Sequence, residues 1–351
     1  MLQTICAADA LARLDEFNTV IDARSQSEYA LDALPGAVNW PSLTDDERVV
    51  IGTQYVQVSP FAARKHGAAL VARNIASHIE REVLDKPKDW RPLVYCWRGG
   101  ARSGALALVL DQIGFRVHRL EGGYQKYRRA VLDALETLPL QLRLIVVCGS
   151  TGSGKSRLLQ VLRTQGAQVI DLEALANHRG SVLGLVPGET QPGQKQFESR
   201  MWDVLRRIDI ARPVYIESES KKVGDLRVPL ALVERMRVSP CIRLELELDS
   251  RVALLIEDYD FFVRDTPAFC ARLDALRSSL GNAQVKSWQE AARAGNTPMV
   301  VRELLVRHYD PNYLQSMRRN FTQADTPKLT LHWDGSESSL ASAAQKVIAG
   351  E

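Results

Sequence analysis

Short apolar runs alternate with longer stretches of mixed polarity through the first third of the chain. Thr19–Asp22, Leu93–Tyr95 and Val117–Leu120 are brief and apolar and predict strands. Ala62–Glu82 reads as a long helix, and Ser103–Ile113, rich in small and apolar residues, as another. Strands joined by helical crossovers imply a parallel sheet covered on both faces. A charged helix over Tyr124–Leu135 runs up to Pro139, which marks a boundary. The strongly apolar run Leu142–Cys148 opens a second α/β unit. Further strands are predicted at Ala167–Asp171, Pro213–Glu217 and Ile242–Leu248, with a last at Leu329–Trp333. From Asp249 to Arg319 the pattern is mostly helical, broken at Pro267, Gly281, Pro298 and Pro311, and Gly180–Gln194 has the composition of a loop. The expected architecture is α/β, with one parallel-sheet domain over 1–137 and a second over 138–351 that ends in a helical extension.

Composition narrows the class. A chain of 351 residues, 45% apolar and 25% charged, fits about two globular domains and excludes a disordered tail, a collagen or a small disulfide scaffold. The longest apolar runs, such as Ala105–Leu110, fall far short of the ~20 residues of a membrane span. Asp9, Asp15 and Glu16 stand where a secretory leader would be basic and then apolar, so a cytoplasmic protein without membrane partners is expected. The 5 cysteines are scattered and form no Cys-x-x-Cys pair, which gives no zinc or disulfide framework. Lys and Arg number 45 against 42 Asp and Glu, balanced within 1–137, so a nucleic acid would have to meet a local patch rather than bulk charge.

Two loops carry chemistry. In Val94-Tyr95-Cys96-Trp97-Arg98-Gly99-Gly100-Ala101-Arg102-Ser103-Gly104 a cysteine leaves a buried strand just ahead of a helix. Converging loop amides, the helix N-terminus, Arg98 and Arg102 favour a thiolate, and Gly99 and Gly100 let the loop curl. A buried structural cysteine is the alternative. The second loop, Gly149-Ser150-Thr151-Gly152-Ser153-Gly154-Lys155-Ser156, is a full G-x-x-x-x-G-K-S between an apolar strand and a helix, the context of a P-loop NTPase-like domain. Its amides wrap a di- or triphosphate, Lys155 neutralises charge, and the Ser156 hydroxyl can hold Mg²⁺. Cys148 reads as a small core residue. Asp171, Glu217 and Glu219 are candidate second carboxylates at strand ends, or else a helix cap and solvated charges. Glu217-Ser218-Glu219-Ser220 departs from the aspartate-ended strand of an ATP hydrolase, so the loop can bind a diphosphate leaving group instead of hydrolysing ATP.

Val20-Ile21-Asp22-Ala23-Arg24-Ser25, Leu34-Pro35-Gly36-Ala37-Val38-Asn39 and Leu120-Glu121-Gly122-Gly123-Tyr124, with the cysteine loop, resemble the rhodanese family over residues 1–137. The resemblance implies that Cys96 carries a sulfur or selenium atom, with Asp22 and Arg24 as framework residues or a surface ion pair. Arg102 lies six residues after Cys96, one more than in typical rhodanese loops and the spacing of cysteine-dependent phosphatases. The wider cradle leaves room for a phosphorylated chalcogen donor.

A rhodanese-like unit fused to a P-loop unit, with Glu47-Arg48-Val49-Val50-Ile51-Gly52-Thr53, Asp171-Leu172-Glu173-Ala174-Leu175-Ala176-Asn177-His178-Arg179-Gly180-Ser181 and His308-Tyr309-Asp310-Pro311-Asn312-Tyr313, is similar to the bacterial tRNA 2-selenouridine synthases over nearly the whole chain. That resemblance implies a tRNA partner carrying wobble 2-thiouridine in its anticodon loop, no tightly bound cofactor, and two steps. Geranyl diphosphate first alkylates the thiocarbonyl sulfur; selenium from selenophosphate then displaces geranylthiol. A selenophosphate-supplying protein becomes a candidate partner. Cys96 would handle selenium and so is expected to open to solvent. Trp97 is a base or geranyl contact, or a packing anchor. His178 and Arg179 steer diphosphate or act on the base, or are surface loop residues. Arg200, Arg206, Arg207, Arg302, Arg307, Arg318 and Arg319 are candidates for the tRNA backbone. The rival readings are an ATP-dependent sulfurtransferase acting on tRNA and a nucleotide-switched binding scaffold.

Overall fold

The computed structural model describes residues 2–180, 184 and 188–350. Residues 181–183 and 185–187 of the predicted 180–194 loop therefore lie outside the described residues. The chain divides into two compact units, Met1–Ala134 with Gly193–Asp203, and Leu135–Pro192 with Val204–Glu351.

The first unit is built on five strands, β1 (Gln3–Ile5), β2 (Thr19–Asp22), β3 (Ala37–Asn39), β4 (Pro92–Tyr95) and β5 (His118–Leu120), in the order β1-β5-β4-β2-β3. Every pairing is parallel. β4 is central and wholly buried, which is why it reads as an uninterrupted apolar run. Pro92 is tolerated as its first residue. Helices Pro60–Glu82 and Ala101–Ile113 lie in the connections, and Ile75, Leu106, Ala107 and Leu110 join Ile21 and Val94 in the core. Helix Gly123–Gln141 continues two residues past Pro139, since a proline in the last turn disturbs only the end of the hydrogen-bond ladder. The returning segment belongs here through Ser199, whose hydroxyl donates to Asp32 at 3.0 Å, an Arg128–Glu198 ion pair, and Trp202 edge-on to Tyr127.

The second unit has β6 (Arg143–Cys148), β7 (Gln168–Ile170), β8 (Pro213–Glu217), a short antiparallel pair β9 (Lys222–Val223) and β10 (Leu226–Arg227), then β11 (Cys241–Glu245) and β12 (Leu329–His332). The main sheet, all parallel, runs β12-β11-β6-β8-β7. The strand expected over Ile242–Leu248 stops at Glu245, because the chain turns at Glu247 into helix Leu248–Asp258, with Asp249 favouring its N-terminus. Val147, Leu158, Leu162, Tyr215 and Leu244 form the core. The extension packs around Phe262, Phe269, Leu273, Trp288 and Val300. Pro267, Pro298 and Pro311 each stand in the first turn of a helix, where no intrahelical donor is lost. Among the described residues no helix is long and apolar enough to cross a membrane.

Candidate functional site

In each unit one loop leaves the carboxyl end of a central strand where the strand order reverses, the crevice position at which open α/β sheets bind ligands. Cys96 follows β4, and Gly100 caps helix Ala101–Ile113 without any side-chain bond, leaving the first amides of the helix to the loop. Tyr124 N–H donates to the Cys96 carbonyl at 2.8 Å and Gln125 N–H to that of Trp97 at 3.1 Å. Gly123 makes this approach possible: its φ is +56°, and a Cβ there would stand 2.1 Å from the Cys96 oxygen. The Ser103 hydroxyl donates to Cys96 Sγ at 3.1 Å. Cys96 is only 3% exposed, so the open mouth expected for it is absent, and those two backbone bonds hold the start of its loop in place.

The flanking side chains are committed. Trp97 stacks on Tyr124 at 5.4 Å, and Arg98 Nε donates to Gln125 at 3.3 Å. Arg102, the arginine expected to close the loop and add charge beside the thiol, donates to Glu28 at 2.9 Å, and Arg48 pairs with the same carboxylate at 2.9 Å. Burial opposes the charge on Glu28, but these partners hold it below the usual carboxylate range. Asp22 and Arg24 are no surface pair: both are buried, 2.6 Å apart, and the Tyr95 hydroxyl donates to Asp22 at 2.7 Å. The Arg24 guanidinium lies 4.0 Å over the Tyr124 ring, tying β2 to the residue that clamps the cysteine loop.

The P-loop follows β6. Lys155 Nζ donates to the Gly149 carbonyl at 2.7 Å, closing the loop on itself. Gly154, at φ +89°, leaves room for Trp333, whose ring would lie 2.4 Å from a Cβ there; the Trp333 indole donates to the Ser153 carbonyl at 2.8 Å. Arg251 reaches the Thr151 carbonyl through Nη2 at 2.7 Å and pairs with Asp310 at 2.6 Å. Gly149 N–H donates to the Tyr313 hydroxyl at 2.6 Å. None of Arg251, Asp310, Tyr313 and Trp333 was singled out by sequence reasoning as a site residue.

The carboxylates sort clearly. Asp171 caps helix Leu172–Ala176 by accepting from Ala174 N–H at 2.9 Å. Glu173, which the sequence reading passed over, accepts from the Ser156 hydroxyl at 2.9 Å, and its own N–H donates to Glu217 at 2.9 Å. Burial and then the charge of Glu219 push Glu173 up to about 7. Burial also raises Glu217 and Glu219 above the usual range. Among the described residues no group of three or more His, Cys, Asp or Glu side chains is disposed to hold a metal. Ser156 and Glu173 nevertheless supply the hard oxygen donors that suit Mg²⁺ completed by water and phosphate oxygens. Cys148 is buried and its thiol, beside Cys241, is pushed up, as a core residue requires.

His178 is buried and accepts from Gly180 N–H at 3.1 Å; burial lowers its pKa. Arg179 donates to the Asp258 carbonyl and lies 4.8 Å over the Tyr259 ring. Neither is a loose surface residue. Of the candidate backbone arginines, Arg302 pairs with Asp249, Arg307 with Glu303 and Arg318 with Asp325. Arg200 stands in helix Gln194–Leu205, and Arg206 and Arg207 just past its end. Arg319 alone of the seven lines a groove of about 460 Å³ that also presents Lys221, Lys222 and Arg237 and reaches Glu219.

Both loops match known families. The model of the tRNA 2-selenouridine synthase AAA domain matches residues 142–270, and that of the rhodanese-like domain residues 7–130. The tRNA 2-selenouridine synthase of Alcanivorax borkumensis is 33% identical over 326 residues, spanning 84% of this chain and 88% of that protein. That of Cronobacter sakazakii is 32% identical over 353 residues, spanning 90% and 91%. With a cysteine loop and a phosphate loop each at its sheet's switch point, and similarity running through both units, the chain belongs to the tRNA 2-selenouridine synthase family.

Proposed function

We propose that the protein converts wobble 2-thiouridine of tRNA to 2-selenouridine through an S-geranyl intermediate. The observation that carries this reading is a complete phosphate nest, closed by Lys155 and bordered by Ser156 and Glu173, whose neighbouring strand ends in Glu217-Ser218-Glu219 rather than in the aspartate of an ATP hydrolase. In the first step the thiocarbonyl sulfur forms a bond to C1 of geranyl diphosphate while the C1–O bond breaks, and diphosphate departs with the electron pair. Lys155, the loop amides and Arg251 stabilise the charge that develops on it. Ser156 and Glu173 would hold Mg²⁺, which supplies further charge neutralisation to the departing group. In the second step selenium, released from selenophosphate as water takes the phosphoryl group, adds at C2 and geranylthiol leaves. Cys96 positions or carries that selenium. Because Cys96 is buried, a donor reaches its sulfur only as the residues around it part.

The test is mass spectrometry of tRNA hydrolysates. With geranyl diphosphate alone, S-geranyl-2-thiouridine accumulates; adding selenophosphate yields 2-selenouridine. Lys155→Ala is expected to lower the first product at least about 100-fold, the scale of losing one preorganised charge donor. Cys96→Ser is expected to spare the first step and lose the second. ATP turnover stimulated by tRNA, with no geranylated nucleoside, would replace this reading with the ATP-driven sulfurtransferase.

A further inference from the structure

Two hollows adjoin the phosphate loop, and they differ in chemistry. The larger, about 530 Å³, is ringed by Arg243, Glu245, Glu247, Arg251, Arg318 and Asp325, so a hydrocarbon there would strip water from charges. The smaller, about 50 Å³, is an almost wholly apolar slot that meets the loop at Thr151. Helix Leu248–Asp258 serves both functions at once. It sends Arg251 to the Thr151 carbonyl and, one turn later on the same face, Leu255 into the slot. Leu255 also packs where a Cβ on Gly152 would stand, 2.9 Å away, so slot and phosphate nest share a wall. Opposite, the π-helical turn Leu305–Tyr309 brings both of its end residues to the lining, a distortion that recurs at functional sites.

We infer that this slot receives the hydrocarbon tail of an allylic diphosphate whose head group occupies the P-loop, an assignment that rests on the geranyl reading above. The buried rings of Phe262 and Phe269, 5.5 Å apart, belong to its lining and limit its depth. At about 50 Å³ the slot holds less than a ten-carbon chain fills, so the half-buried Ile256 and Val301 part to admit it. The slot therefore selects tails by length, and Val301 is a specificity-determining residue.

Calorimetric titration of the full-length protein with inorganic, dimethylallyl, geranyl and farnesyl diphosphates tests this. Wild type is expected to bind geranyl diphosphate more tightly than inorganic diphosphate. Val301→Trp, which fills the slot, is expected to weaken geranyl diphosphate at least about tenfold while inorganic diphosphate binds as before. Val301→Ala, the milder change should the first fail to fold, is expected to shift preference toward farnesyl diphosphate. Unchanged geranyl affinity in Val301→Trp, or an unchanged length ranking in Val301→Ala, overturns the slot assignment and leaves the geranyl reaction standing. Wild type that binds geranyl diphosphate no better than inorganic diphosphate overturns the geranyl reading itself, and the slot with it.

Discussion

Burial and then the like charge of Glu219 lift the Glu173 carboxylate from 4.5 to about 7, against the opposing hydrogen bond it accepts from the Ser156 hydroxyl. An acid raised in the fold binds more protons folded than unfolded between those limits, so stability falls as pH climbs from about 4.5 to about 7. Glu173→Gln keeps an acceptor for Ser156 and removes the titration. It is expected to flatten that decline and to raise Tm at pH 8 by about 2–4 °C, the shift that ~1 kcal/mol gives a unit of this size. Thermal melts of wild type and variant across pH 4–8 check this; parallel curves would mean the carboxylate is ionised throughout. No local signal marked Glu173 in the sequence. Its partner Ser156 lies 17 residues away, and a glutamate in the first turn of a helix looks like ordinary capping.

The elements that carry the site were legible where their chemistry is contiguous. The strand–loop–helix around Gly149–Ser156 and the run from Val94 to Gly104 announce themselves because strand, glycines and helix N-terminus are neighbours in sequence. What locks these loops was not legible, since the contacts span the chain: Arg251 meets Thr151 across 100 residues, Tyr313 meets Gly149 across 164 and Trp333 meets Ser153 across 180. The short edge strands Gln3–Ile5 and Ala37–Asn39 were missed for a related reason, three residues being too few to show a period. The clamp between Gly123 and the cysteine loop makes a sharp contrast testable. Gly123→Ala meets the Cys96 carbonyl at 2.1 Å with φ at +56°, whereas Gly100→Ala meets nothing within 4 Å. Denaturant unfolding is expected to show a loss of about 2–4 kcal/mol for the first and less than about 1 kcal/mol for the second. Equal effects would show that the approach is relieved by movement of the turn.

For the molecule as a whole, a net charge of +3 leaves little long-range pull on a polyanion, so tRNA affinity must come from concentrated cations. The groove formed by Lys221, Lys222, Arg237 and Arg319 is such a concentration, and it reaches the Glu219 edge of the phosphate site. Replacing Lys221 and Lys222 by Ala is expected to weaken tRNA binding alike for cognate and non-cognate species and to lower the slope of log affinity against log salt by about 1–2. Filter binding at several salt concentrations reads both; an unaltered slope moves the backbone contact elsewhere.

The segment Gly193–Asp203 departs from the phosphate-loop half and supplies Ser199, Glu198 and Trp202 to the cysteine half before the chain goes back. The halves are thus interleaved along the backbone rather than strung end to end. A gene fusion, a splice or a protease acting at a single point between them would strip the cysteine half of a piece of its own interior. The cysteine half is thus inherited only together with a long stretch of its neighbour's message, and a simple crossover cannot shuffle it away intact.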